Sequence, residues 1–163
     1  MNGNQTMMMN DYFFFYNGVF SQWWRCWFDV DGLTYNCTEQ YMMAEKARLF
    51  RDEDMEEKIM LAQHPSLQKK CGRKVANFDL DQWNRVAKDI VYKGNEAKFT
   101  QNPKLKKDLM KTGEALLVEA SPTDVIWGIG IGLEDERRLN QANWRGTNWL
   151  GEVLTQLRND LRE

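Results

Sequence analysis

Hydrophobic positions change period several times along this chain, and each change marks an element. Residues 12–16, YFFFY, and 27–35, WFDVDGLTY, are aromatic and β-branched runs of strand character. Asp31-Gly32 stands between WFDV and LTY. A tight two-residue turn needs positive φ, which this pair tolerates, so the spacing predicts a hairpin. From Thr38 the period lengthens. Thr38 is expected to cap a helix over about 39–51, with Glu39 in the first turn, where the helix dipole favours a carboxylate. DEDMEEKIMLAQ (52–63) reads as a second helix with an acidic start. Pro65-Ser66 opens a short third helix, which Gly72 closes. Asp79 or Asp81 caps a longer one, in which Trp83, Val86, Ala87, Ile90 and Val91 recur at helical spacing, and Gly94 is expected to interrupt it before NEAKFTQ. Pro103 opens PKLKKDLMKTG and Gly113 ends it. ALLVEA (115–120) reads as a buried strand, and the polar run 134–146 as a surface excursion. A last helix begins at Asn148 or Trp149, with Leu150, Val153, Leu154, Leu157 and Leu161 on one face. About six helices against three or four short strands describe an α+β fold, predominantly helical, in a single domain with a hairpin near the N-terminus.

Composition narrows the function classes. The 163 residues are one domain's worth, long enough to bury about 70% of the unfolded surface without a disulfide or metal staple. Residues 1–10 are expected to be a flexible terminus and 11–163 the domain. Lys plus Arg number 22 and Asp plus Glu 24, a net charge of −2, which excludes a global pull toward nucleic acid or anionic membrane but leaves room for a local basic groove. Three scattered cysteines, Cys26, Cys37 and Cys71, suggest reduced thiols and a cytoplasmic setting. The N-terminal residues lack a signal peptide's basic leader and apolar core, and no run approaches a membrane span. The single histidine, His64, precedes Pro65 and reads as a helix-end or turn residue. One histidine with no cysteine cluster builds no multi-histidine metal site, and no G-x-S-x-G elbow is present, so no metal and no cofactor are expected. Carboxylates, lysines and arginines must carry any chemistry.

Three constellations stand out. In TEQYMMAEKARLF, Glu39, Met43 and Lys46 share one helical stripe, which is ordinary if it faces solvent and unusual if it is buried. In CGRKVANFD and NEAKFTQN, Arg73 follows a turn glycine and Lys98 precedes Phe99; Arg73 could hold a phosphate in a bidentate fork, or be surface charge at a helix end. EASPTDVIWGIGIG (119–132) places Asp124, Trp127 and alternate glycines Gly128, Gly130 and Gly132 close together. It lacks the dinucleotide G-x-G-x-x-G. Alternating glycines strip one face of an extended segment and admit a flat ligand or another backbone.

Six stretches, FSQWW (20–24), VDGLTYNCTEQYMMAEKARLF (30–50), GRKVANFD (72–79), GNEAKFTQN (94–102), TGEALLVEASPTDVIWGIG (112–130) and WRGTNWLG (144–151), occur in the order seen in the NADAR, or YbiA-like, family. The resemblance covers roughly 13–162 and implies a YbiA-like fold and N-glycosidase chemistry. Members of that family cleave ribosylaminopyrimidine phosphates of riboflavin biosynthesis or remove ADP-ribose from guanine in nucleic acid. Glu39, Lys46, Trp83, Lys98, Asp124 and Trp127 match its pocket positions, and Trp23 and Asn148 match its motifs. Some members carry Glu-His where this chain has Glu39-Gln40, so any role of that histidine is absent here.

Read with that resemblance, Glu39, Lys46 and Asp124 are the catalytic candidates, and Trp23, Arg73, Trp83, Lys98, Trp127, Gly128 and Asn148 the substrate-binding ones. Cleaving an N-glycosidic bond builds positive charge on the sugar, which a carboxylate stabilises; a neutral lysine can instead capture the opened sugar aldehyde as a Schiff base. The expected partner is a small ribosylated nucleotide or an ADP-ribosylated nucleic acid, with no membrane and no obligate protein partner. Two other classes compete. A non-catalytic reader of ADP-ribose would use the same aromatic and glycine wall, and a protein-docking domain would expose its tryptophans on one patch.

Overall fold

The computed structural model describes residues 11–162. Its elements are β1 (Tyr12–Phe15), β2 (Phe28–Val30), β3 (Leu33–Tyr35), α1 (Thr38–Leu49), α2 (Glu53–Leu61), α3 (Pro65–Gly72), α4 (Leu80–Gln101), α5 (Pro103–Met110), β4 (Leu116–Glu119) and α6 (Trp149–Leu161), with two short 3-10 turns at Glu136–Leu139 and Gln141–Asn143. The α+β, mostly helical reading holds. The expected flexible terminus, 1–10, lies outside the described residues. The described residues divide into two compact units, Gln22–Leu105 and the combination of 11–21 with 106–162.

In the first unit the hairpin forms as its turn chemistry requires. β2 and β3 pair antiparallel, Phe28 opposite Tyr35 and Val30 opposite Leu33. Asp31 and Gly32 both take left-handed φ, 51° and 83°, the two-residue turn whose twist matches the strands. The inward face stacks Phe28 on Tyr35, and Tyr35 meets Tyr41 of α1 edge-on at 5.1 Å. The end of α4 completes the β2 edge. Gln101 accepts from Asp29 N–H and donates to its carbonyl, both at 2.8 Å, imitating a neighbouring strand.

Two helix expectations need correction. Thr38 does not cap α1. Cys37 occupies the cap position without a side-chain bond, and Thr38 Oγ1 donates to Gln22 O at 3.2 Å. The same carbonyl accepts the N–H of Glu39 at 3.0 Å, so a remote backbone oxygen serves the first turn in place of a cap side chain. Gly94 does not interrupt α4 either, which runs unbroken through it. A Cβ there would sit 2.6 Å from Cδ2 of Tyr41. The glycine lets α1 and α4 approach closely.

Buried amides fasten α2 and α3 onto the start of α1. Gln40 accepts from Asn36 N–H and donates to the carbonyls of Ile59 and Met60. Gln68 donates to Asn36 Oδ1 and to Ala62 O. The side chain of Gln40 is thus a structural amide. Asp52 caps α2 through Met55 N–H, while its other oxygen accepts Ala76 N–H at 2.8 Å, anchoring the loop after α3. His64 precedes α3 at its cap position, a helix-end residue as expected.

In the second unit β1 and β4 pair in parallel, Tyr12 opposite Leu116 through Phe15 opposite Glu119. Side chains from the start of α6 close the far edge of β4. Thr155 Oγ1 accepts from Leu117 N–H, Asn148 Nδ2 donates to Leu117 O, and Asn148 Oδ1 accepts from Glu119 N–H. A short parallel pair would otherwise expose a row of unpaired backbone groups. Leu150, Val153, Leu154 and Leu157 of α6 are buried, each contributing roughly 1.5–3 kcal/mol of apolar burial.

Candidate functional site

The unusual alternative for the Glu39–Met43–Lys46 stripe is the one the fold adopts. Glu39 is 5% exposed and Met43 7%, and Met43 lies against Gly72, where a Cβ would fall 2.0 Å from its sulfur. Gly72 therefore ends α3 and also makes room for this stripe. The indole Nε1 of Trp23 donates to Glu39 Oε1 at 3.2 Å, which orients the carboxylate. Two turns on, the Lys46 ammonium lies 4.6 Å from the ring centre of Phe78 and 5.9 Å from that of Trp83. Burial pushes the Lys46 amine below the ordinary lysine value; Glu39 draws it back up and Arg73 presses it down again.

Four candidates are thereby brought together, Trp23 bonded to Glu39 and Lys46 facing Trp83, with Glu39 and Arg73 within electrostatic reach of Lys46. Lys69 brings a further cation, its ammonium 6.0 Å from the Trp23 ring. Lys98 is fully buried on α4, and burial pushes it down to about 8 against the opposing pull of Cys26 and Cys37. Those thiols are themselves pushed up by burial, Cys37 to about 11. Sequence reasoning missed Phe78. Its position is set by Asp52, which holds the loop through Ala76, and by Phe50, whose ring meets it edge-on at 5.3 Å. An aromatic five residues after Arg73 was visible in the sequence, but nothing local distinguished it from a core residue.

Asp124, Trp127, Gly128 and Asn148 belong to the other unit and form a tightly bonded loop. Asp124 Oδ1 accepts from the N–H groups of Ile126 and Trp127 at 2.9 and 2.8 Å, and its own N–H donates to Ser121 Oγ. Trp127 meets Trp149 edge-on at 5.5 Å. The glycines admit this chain's own backbone. A Cβ on Gly128 would lie 2.9 Å from Glu119 O, and one on Gly146 2.2 Å from Gly128 O. At Gly128 another backbone meets the bare face, whereas Gly130 meets side-chain atoms of Arg145 and Val125, and Gly132 those of Pro122. The segment is not a strand: Gly130 takes φ 70°, and the carbonyls of Ile126, Trp127 and Gly128 accept the N–H groups of Trp149, Leu150 and Asn148. The N-terminus of α6 is therefore occupied by this loop.

A cavity of about 930 Å3 opens in the same unit, lined by Tyr16, Pro122, Leu133, Glu134, Asp135 and Glu136 among others. None of the expected site residues lines it, and on its rim Glu134 and Glu136 accompany Asp135 and Arg137, which pair with each other. The tryptophans also divide by exposure. Trp23, Trp24 and Trp27 are 45%, 40% and 58% exposed, whereas Trp83 is buried. Among the described residues no three histidine, cysteine or acidic side chains group as a metal site, and no helix is long and apolar enough to cross a membrane.

Comparison with known proteins identifies the setting of these groups. The NADAR domain family model matches residues 12–162. An N-glycosidase of Acanthamoeba polyphaga mimivirus is 42% identical over 147 residues, covering 87% of this chain and 86% of that protein. Protein irg-1 of Caenorhabditis elegans is 44% identical over 131 residues, 79% of this chain; the chain spans only 62% of that relative's length. The NMR structure of the E. coli protein YbiA superposes with a TM-score of 0.77 at 30% identity, covering 94% of this chain and 86% of that one. With its motifs, its fold and this degree of identity in agreement, the chain belongs to the NADAR family.

Proposed function

We propose that this protein is a hydrolase of N-glycosyl bonds, releasing a base from C1 of a phosphorylated ribose. Its substrate is ADP-ribosylated guanine of a nucleic acid or a ribosylaminopyrimidine phosphate. The observation that carries the reading is the buried Glu39 carboxylate, oriented by Trp23, two helical turns from a lysine held against Phe78 and Trp83. Loss of the base leaves positive charge shared between C1 and the ring oxygen. Glu39 supplies the compensating charge and can take a proton from the attacking water. Lys46 supplies a second route. When the sugar opens, a neutral Lys46 amine adds to C1, the base departs as its protonated amine, and water hydrolyses the resulting imine to free both sugar and lysine. Burial and Arg73 both favour the neutral amine this route needs.

Arg73, Lys69, Lys70 and Lys74 at and after the end of α3 provide cations for the phosphates. Trp83, Trp127, Gly128, Lys98 and Asn148 remain proposed contributors to substrate binding. For Asp124 the proposal rests on Oδ2, since Oδ1 is committed to two backbone amides.

The test is product analysis by mass spectrometry, with a ribosylaminopyrimidine phosphate and an ADP-ribosylated guanine oligonucleotide offered separately. Free base from either, abolished by Glu39→Gln, supports the reading and selects the substrate. Borohydride during turnover should trap sugar on Lys46 if the imine route operates. Retention of ligand with no product from either substrate would replace the hydrolase by a reader of ADP-ribose, and normal turnover by both Glu39→Gln and Asp124→Asn would sink the assigned chemistry.

A further inference from the structure

We infer that Gln22 and Asn95, neither of which touches the reacting groups, are positioning residues that aim the Glu39 carboxylate. This rests on Glu39 acting as proposed above. Two consecutive residues hold Glu39 from both ends. The backbone carbonyl of Gln22 accepts the N–H of Glu39 at 3.0 Å and the Thr38 hydroxyl at 3.2 Å. The next side chain, Trp23, donates its indole N–H to the carboxylate. Trp23 is 45% exposed, so packing alone does not fix its ring. Where the preceding residue is pinned therefore bears on the direction of its indole N–H.

Asn95 of α4 pins that residue. One amide hydrogen of Asn95 Nδ2 goes to Val91 O at 2.9 Å and the other to Gln22 Oε1 at 3.0 Å. Both donors are used, and Val91 O can only accept, so the orientation of the amide is determined. Gln22, Thr38, Glu39 and Asn95 are 7%, 1%, 5% and 0% exposed. They form a buried strut from α4, the helix that carries Trp83, to the first turn of α1. Gln22 Nε2 and Asn95 Oδ1 are buried with no hydrogen-bond partner among the described residues. An apolar pair of the same shape would fill this volume without orphaning a donor and an acceptor. What the amides supply, and an apolar pair would not, is direction. A carboxylate that must meet developing charge at one atom loses rate steeply when displaced.

The variants are Gln22→Met and Asn95→Leu, which keep volume and remove the side-chain bond; Gln22→Met also keeps the backbone carbonyl on Glu39, so it serves if Asn95→Leu does not fold. The first readout needs no substrate. In a 15N-labelled protein the Trp23 indole resonance, identified by its loss in Trp23→Phe, should move in Glu39→Gln and move likewise in both strut variants. The second is kinetic. On whichever ribosylated substrate the protein cleaves, kcat should fall about tenfold with KM held within about twofold, and neither strut change should lower the residual rate of Glu39→Gln further. Folded strut variants with an unmoved indole resonance and parental kcat would overturn the inference. So would a loss of rate that persists undiminished in the Glu39→Gln background, because the amides would then act elsewhere. If the parent protein cleaves no ribosylated substrate, the hydrolase reading fails on its own, and the indole resonance still decides the strut.

Discussion

Asn148 matches a family motif and was expected to meet substrate, yet its geometry gives it a measurable structural duty. Its side chain bonds β4 twice, donating to Leu117 O at 3.0 Å and accepting from Glu119 N–H at 2.9 Å. Its backbone sits in the left-handed region at φ 54°, and it is 2% exposed. In Asn148→Ala one buried and one part-buried bond are lost, at about 1.5 kcal/mol each, and alanine in that conformation adds about 1 kcal/mol. The expected loss is about 4 kcal/mol. For a chain of this size about 2–4 °C of melting temperature accompanies each kcal/mol, so differential scanning calorimetry should show a fall of roughly 8–16 °C. Asn148→Gly removes the same bonds but tolerates the backbone, so it should fall about 1 kcal/mol less. An alanine variant melting within about 2 °C of the parent, or a glycine variant as labile as the alanine one, would refute this account. Near-parental melting combined with lost ligand binding would assign Asn148 to the substrate instead.

Three further predictions come from other parts of the fold. Arg73→Gln removes a cation that presses Lys46 down, and Glu39→Gln removes the carboxylate that draws it up; the Lys46 titration midpoint, read from labelled amine resonances, should rise in the first and fall in the second, and shifts in the same direction would refute the electrostatics. Burial holds Lys98 at about 8 when folded, below the ordinary lysine value of 10.5. Between those pH values the unfolded chain binds a proton that the folded chain does not, so the lysine's penalty is complete below about pH 8 and fades toward 10.5. The advantage of Lys98→Met over the parent should therefore be largest at neutral pH and shrink as pH rises toward 10.5, and a gap independent of pH in urea titrations would refute the cause. Gly94→Ala, which by helix propensity should gain about 1 kcal/mol, should instead lose about 1–3 kcal/mol because its Cβ meets the Tyr41 ring at 2.6 Å; a more stable variant in chemical denaturation would refute that contact.

Much of the local order was legible in the sequence because its causes are local. Asp31-Gly32 makes the hairpin whatever surrounds it, since only such residues take two positive φ angles in succession. Pro65 and Pro103 open their helices, and Asp79 caps α4 through its own side chain. Glu39 and Lys46 could be placed on one stripe from spacing alone, because helical periodicity does not depend on the rest of the fold. Family motifs in their order pointed to the same residues.

Everything that depends on a distant neighbour waited for the tertiary structure. Spacing could not say whether the Glu39 stripe was solvated; packing of Met43 on Gly72 buries it. Nothing local told Gly94 from a helix breaker, because the deciding atom belongs to Tyr41. Nothing local told what would lie against the Cα of Gly128, which packs on Glu119 O. Phe78 reaches Lys46 with its loop held by Asp52, more than twenty residues earlier, and its ring against Phe50. β1 finds β4 in parallel across about a hundred residues, a pairing that no periodicity encodes. Short-range conformational preference sets the elements of this protein, while close approach between remote atoms determines which charges are buried and where they point.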